Sequence, residues 1–185
     1  MLFQYAQLGS NTIRLVRFSS RSTLLDLHVN IEHQANYSEQ DVHYSVLSYQ
    51  IHPELERTGL TLNGRTRMID NHALRALQAV WKDHKDGDRF WLDALSVNQA
   101  DPYEVREQKK QLSSVYASAD QVLLWLAAEN AEAGSNVLAK RAALYVQDAA
   151  DGGALCMARK LLVLSGDQSC TLETTQQTAR QAGSL

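Results

Sequence analysis

Proline, cysteine and glycine are all scarce in this chain: two, two and nine among 185 residues. Two cysteines, Cys156 and Cys170, cannot build a disulfide framework, and their separation is not that of a zinc-binding pair. The six histidines show no metal-ligand spacing either. There is no basic excess. Eighteen Lys and Arg face 21 Asp and Glu, for a formal net charge of −3, which argues against a nucleic-acid partner. The longest clean apolar run, Val122 to Ala128, is far too short to span a bilayer. Met1 to Tyr5 lacks the basic-then-apolar order of a signal peptide. Neither a Gly-x-Gly-x-x-Gly loop nor a Walker motif is present. The expectation is a reduced, cytoplasmic protein with no membrane span and no nucleic-acid ligand.

What is there is an alternation of strand and helix periods. Thr12 to Phe18 reads as a strand, and Leu24 to Ile31 alternates as a half-buried partner to it. Residues 32–43 are polar and read as a loop, and Tyr44 to Tyr49 reads as a third strand. Asn63-Gly64 between short strand-like pieces predicts a type I′ hairpin. Asp70 then caps a helix whose apolar positions are Ala73, Leu74, Leu77, Val80 and Trp81. Phe90 to Val97 is nearly continuously apolar, as a strand covered on both faces would be. Asp101-Pro102 opens the next helix, and Gln121 to Leu126 reads as another buried strand. Residues 131–164 suggest one or two helices. The polar stretch 165–185 is expected to fray, leaving one domain over 1–164. The fold expected is α/β: three layers, with a short, mainly parallel sheet flanked by helices and an N-terminal antiparallel β extension.

Three segments carry more than periodicity. They are Tyr44-Ser-Val-Leu-Ser-Tyr49, then Phe90-Trp-Leu-Asp-Ala-Leu-Ser-Val-Asn-Gln99, then Glu104-Val-Arg-Glu-Gln108 leading to Val115-Tyr116-Ala-Ser-Ala119 and Val122-Leu-Leu-Trp-Leu126. In this order and spacing they resemble the heterokaryon incompatibility (HET) domain of filamentous fungi. Phe3-Gln4-Tyr5 and Ile13-Arg14-Leu15 look like that family's lead-in. The chain departs from the pattern at Ile51-His52, where the family has Trp-Gly, at Ser96-Val97 for Cys-Ile, and at Ala127 for Gly. The resemblance implies a role in fungal non-self recognition and regulated cell death. It also implies a distant likeness to TIR domains, some of which hydrolyse NAD, and hence a TIR- or flavodoxin-like sheet with NAD as a substrate. The alternative is a non-catalytic module, or a divergent inactive member, working through self-association or a protein partner.

Each polar residue then has two readings. Glu104 is the carboxylate most comparable to the TIR catalytic glutamate, where it would stabilise a cationic ribose. It is equally the N3 acid of a capping box begun by Asp101. Asp93, inside an apolar run, either faces a ligand or anchors a neighbouring loop by hydrogen bonds. Asn98 and Gln99 follow a strand's carboxyl end, where open parallel sheets bind ligands, and they also suit a local turn. Ser48 and Tyr49 end a strand on the same edge and either line a ligand or pack. Gln108 reads as an internal amide bridging helix and strand, and Trp91, Trp125 and Tyr116 read as core.

Overall fold

The computed structural model describes residues 2–39, 41–49, 56–126, 161–165 and 168–172. Its order is β1 (Thr12–Phe18), β2 (His28–Ala35), β3 (Ser45–Tyr49), β4 (Arg57–Leu62), β5 (Arg65–Asp70), α1 (Asn71–Trp81), β6 (Phe90–Trp91), α2 (Asp93–Ser96), α3 (Pro102–Ser118), β7 (Gln121–Trp125), β8 (Leu161–Ser165) and β9 (Gln168–Leu172). The nine strands form one sheet in the order β5-β4-β2-β1-β6-β3-β7-β8-β9.

Local chemistry accounts for most of these elements. Asn63 and Gly64 take φ of 48° and 72°, the paired positive values that a type I′ turn demands between β4 and β5. The Asn63 side chain also accepts from the Ile31 amide at 2.8 Å, tying the hairpin to β2. The Asp70 carboxylate accepts from the Ala73 amide at 2.8 Å and caps α1. Asp101 accepts from Tyr103 and Glu104 amides at 2.9 and 3.2 Å, with Pro102 at the first helical position of α3.

The core is divided by the sheet. On one face Leu77, Ala73, Ala76 and Val80 of α1 meet Leu47, Leu60, Leu62, Ile69 and Phe90. On the other, Val115 and Tyr116 of α3 meet Ile13, Leu15, Val46, Trp91 and Val122. The sheet curls around α1. Asp70, at the end of β5, lies five strand spacings from β3 in the sheet order, about 24 Å if the sheet were flat. Yet the Tyr49 hydroxyl donates to Asp70 Oδ2 at 3.1 Å. The hairpin is tied to β2 by a pairing of only two residues, His28 with Thr61 and Val29 with Leu62.

Several expectations require correction. The segments 44–49, 90–97 and 121–126 do supply adjacent parallel strands, in the order β6-β3-β7. However, the strand in 90–97 stops at Trp91, and Asp93–Ser96 is a short helix. Ser96 explains the break. Its hydroxyl accepts from the Leu92 amide at 3.1 Å, which closes a turn where a strand would have continued. The sheet is mixed, not mainly parallel: β2·β4, β3·β6, β3·β7 and β7·β8 are parallel, while β1·β2, β1·β6, β4·β5 and β8·β9 are antiparallel. The second strand runs from His28 to Ala35, so residues 32–35 belong to it and not to a loop, and Leu25 is exposed. Residues 161–165 are strand and not helix. The sheet also continues past residue 164 into β9, where a frayed tail was expected. The rest of the helical expectation over 131–164 lies outside the described residues, as do Ile51, His52 and Ala127.

Candidate functional site

Two polar constellations sit around the carboxyl ends of β3 and β6. The first is centred on Arg14, in β1. Its side chain is 1% exposed, although its neighbours Ile13, Leu15 and Val16 are all core. A buried guanidinium must be paired and hydrogen-bonded. Here Nη1 and Nη2 donate to the two Glu104 oxygens at 2.5 and 3.0 Å, a bidentate fork. Nη1 also reaches the Ser96 carbonyl at 3.0 Å and Nη2 the Ala6 carbonyl at 2.7 Å, while the buried Nε–H has no acceptor among the described residues. The Tyr5 ring lies beside the guanidinium at 4.6 Å, and the Tyr5 hydroxyl donates to the Leu95 carbonyl at 2.9 Å.

Glu104 does not close the capping box, because its backbone partner is the Asn98 amide and not that of Asp101. The Asp101 half of the cap is made, but the Glu104 carboxylate reaches back past the N-cap to the Asn98 amide, at 2.6 Å, and across to Arg14. Burial pushes its pKa up. The hydrogen bonds from Arg14 and the Asn98 amide, with the Arg14 charge, outweigh that and hold it below the ordinary glutamate value. The ion pair thus ties α3 to β1, to the N-terminal segment and to the turn after α2.

The second constellation gathers Tyr49, Asp70 and Asp93. Tyr49 ends β3 on the α1 face, and its hydroxyl donates to Asp70 Oδ2 with the Asp93 carboxylate alongside. The hydroxyl's pKa is raised strongly, first by burial and then by the negative charges of Asp93 and Asp70. Asp93 is not inside a strand. It opens α2 and is only half-buried. Trp125, paired with Tyr49 in register, and the His72 ring at 5.4 Å from it form the adjoining wall.

The other candidates disperse. Ser48 is buried on the α3 face, opposite Tyr49. Asn98 uses its side chain locally, accepting from the Ala100 amide at 3.3 Å. Gln99 is exposed and donates to the Asp93 carbonyl at 3.1 Å. Gln108 does bridge helix to strand, donating to the Thr12 carbonyl at 3.4 Å. The residues missed were Arg14, Tyr5 and Asp70. Arg14 carried a readable signal, a charge set between the apolar Ile13 and Leu15 in mid-strand. Asp70 carried none beyond its helix cap. Among the described residues, no group of three His, Cys, Asp or Glu could hold a metal ion.

A family model described as heterokaryon incompatibility protein (HET) matches residues 44–180, well over half of the chain. The chain belongs to this family. No curated protein and no solved structure matches it. The HET match takes in Tyr49, Asp70, Asp93 and Glu104 but begins after Tyr5 and Arg14, so the ion pair joins the HET segment to residues that precede it. No helix among the described residues of this HET chain is long and apolar enough to cross a membrane.

Proposed function

We propose that the chain acts in fungal heterokaryon incompatibility, as a cytoplasmic effector of non-self recognition and regulated cell death. We propose further that it works by hydrolysing NAD on a TIR-like sheet. The family match supports the first part. One observation carries the second: two carboxylates, Asp70 and Asp93, converge on the single hydroxyl of Tyr49 at the carboxyl end of a parallel strand. Open parallel sheets bind ligands beyond that edge. In this reading the half-buried Asp93 carboxylate faces the ribose carbon as its bond to nicotinamide breaks. It stabilises the cationic, oxocarbenium-like centre until water adds and a proton is released. The Tyr49 hydroxyl, bonded to Asp70, lies beside the Asp93 carboxylate and orients it. Glu104 anchors the turn that bears Asn98 and Gln99, while Ser48 faces the other side of the sheet.

The test is incubation of the purified protein with NAD, with product analysis for nicotinamide and ADP-ribose. Stoichiometric appearance of both is expected. Intact NAD at high enzyme concentration, from a protein shown to be folded, refutes the hydrolytic part.

A further inference from the structure

We propose that the chain associates head to tail with a second copy of itself, the basic face of α3 on one copy meeting an acidic cleft on the next. The inference is independent of NAD hydrolysis and rests on two surfaces with opposite charge.

The first is a cleft of about 330 Å³ at the amino ends of β3, β6 and β7, on the face that α1 covers. Its floor is apolar, formed by Val80, Leu123, Leu162 and Leu164 among others, and Asp83, Asp88 and Asp120 contribute three carboxylates. The cleft contains one guanidinium, Arg89, already engaged by Gln34 at 3.2 Å and Glu32 at 3.9 Å. Asp120 faces His43 at 3.2 Å across an exposed pair, whereas Asp83 is exposed and makes no ion pair among the described residues.

The second surface is a shallow depression on α3, bounded by Gln99, Pro102, Val105, Arg106, Lys109 and Lys110. Arg106 and Lys110 share Glu107, at 3.6 and 2.7 Å. Lys109 is exposed and makes no ion pair among the described residues. Three cations over an apolar base thus match three carboxylates over an apolar floor. A lysine entering the cleft would lay its methylenes on the leucines and its ammonium among the aspartates.

Geometry decides the kind of assembly. Val80, Leu123, Leu162 and Leu164 belong to the cluster on the α1 side, and Val105 packs on the α3 side. The two surfaces therefore lie on opposite sides of the sheet. A two-fold dimer presents one patch to its own copy, while two different patches give a contact that repeats into a chain or ring.

The experiment is sedimentation velocity on the full chain at about 30 mM and about 500 mM salt, which screen such pairs weakly and strongly. The wild type is expected to form species larger than dimers at low salt and to fall back to monomer at high salt. Asp83→Lys and Lys109→Asp are each expected to weaken assembly at least about tenfold, and the double reversal is expected to restore it. Both positions are exposed, so denaturant midpoints should stay near wild type, which certifies the fold of each variant. A monomer at every salt concentration, a species that stops at the dimer, single reversals that assemble like wild type, or a double reversal that fails to recover would each overturn the proposal.

Discussion

The two constellations beside β3 and β6 contain similar chemistry in different proportions. Around Arg14, one guanidinium meets one carboxylate, and each terminal nitrogen has an acceptor: Glu104 Oε1, Glu104 Oε2, Ser96 O and Ala6 O. Around Tyr49, two carboxylates meet one hydroxyl proton. The first arrangement is buried and its charges are paired one to one, with the Arg14 Nε–H the one guanidinium donor lacking an acceptor among the described residues. The second concentrates negative charge at a half-open edge, an arrangement that binding of a cationic centre would relieve. A glutamate at the start of a helix is thus not identified by its position as catalytic or capping. What decides is whether its oxygens are already occupied.

The comparison breaks most visibly at Arg14. Arg14→Met should cost about 3–5 kcal/mol in a urea melt, because it leaves the Glu104 carboxylate buried without its partner. The paired replacement Arg14→Met with Glu104→Leu should recover much of that loss, since no unpaired charge remains. A single replacement that melts like wild type would mean that the pair is solvated.

At the other constellation the expected effect is on chemistry. Asp93→Asn should lower NAD cleavage about 100-fold or more, equivalent to roughly 2.7 kcal/mol of transition-state stabilisation. Its melting midpoint should move by no more than a surface change would. Wild-type turnover by folded Asp93→Asn would remove this aspartate from the reaction. Asp70→Asn offers a control, because asparagine caps helices as well as aspartate does. It should leave α1 stable while removing one of the two charges next to Tyr49.

Smaller effects sharpen the same contrast through pH. The Glu104 carboxyl is held below its unfolded value of about 4.3. Its stabilising contribution is therefore complete above that value and is lost as the pH falls through the folded pKa. Denaturant melts between about pH 6 and pH 3 should show this loss in the wild type, and a Glu104→Gln protein should lack that component. Tyr49 behaves oppositely. Its pKa is raised, so its contribution is complete below the unfolded value of about 10 and is lost as the pH rises beyond it. Tyr49→Phe should flatten the alkaline limb of the stability profile while costing about 1 kcal/mol at neutral pH. The smallest effect is expected at the exposed His43–Asp120 pair, where His43→Ala should cost less than about 1 kcal/mol.

Much of this architecture was legible in the sequence because its signals are local. Asn63-Gly64 requires positive φ, Asp70 and Asp101 cap the helices that follow them, and the apolar runs at 45–49 and 121–125 form parallel neighbours. What was not legible depends on distant partners. Ser96 closes a turn with Leu92 that periodicity alone reads as continuing strand. Glu104 bonds Arg14 across 90 residues, and no spacing within α3 reveals it. The Tyr49–Asp70 contact depends on the curl of the sheet, which neither strand encodes alone. The mixed sheet was misread partly for the same reason, because β2 pairs with β4, a strand distant in sequence; β8 and β9 are neighbours along the chain, and there the polar composition after Ser165 hid the strand.

Glu104 holds the fold through its buried pair with Arg14 and its bond to the Asn98 amide. The most direct measurement is the free energy of unfolding of Glu104→Gln at neutral pH. A loss of about 3 kcal/mol or more is predicted, because glutamine keeps the shape but leaves the Arg14 charge buried without its counter-ion. An unfolding free energy equal to that of the wild type would contradict the account.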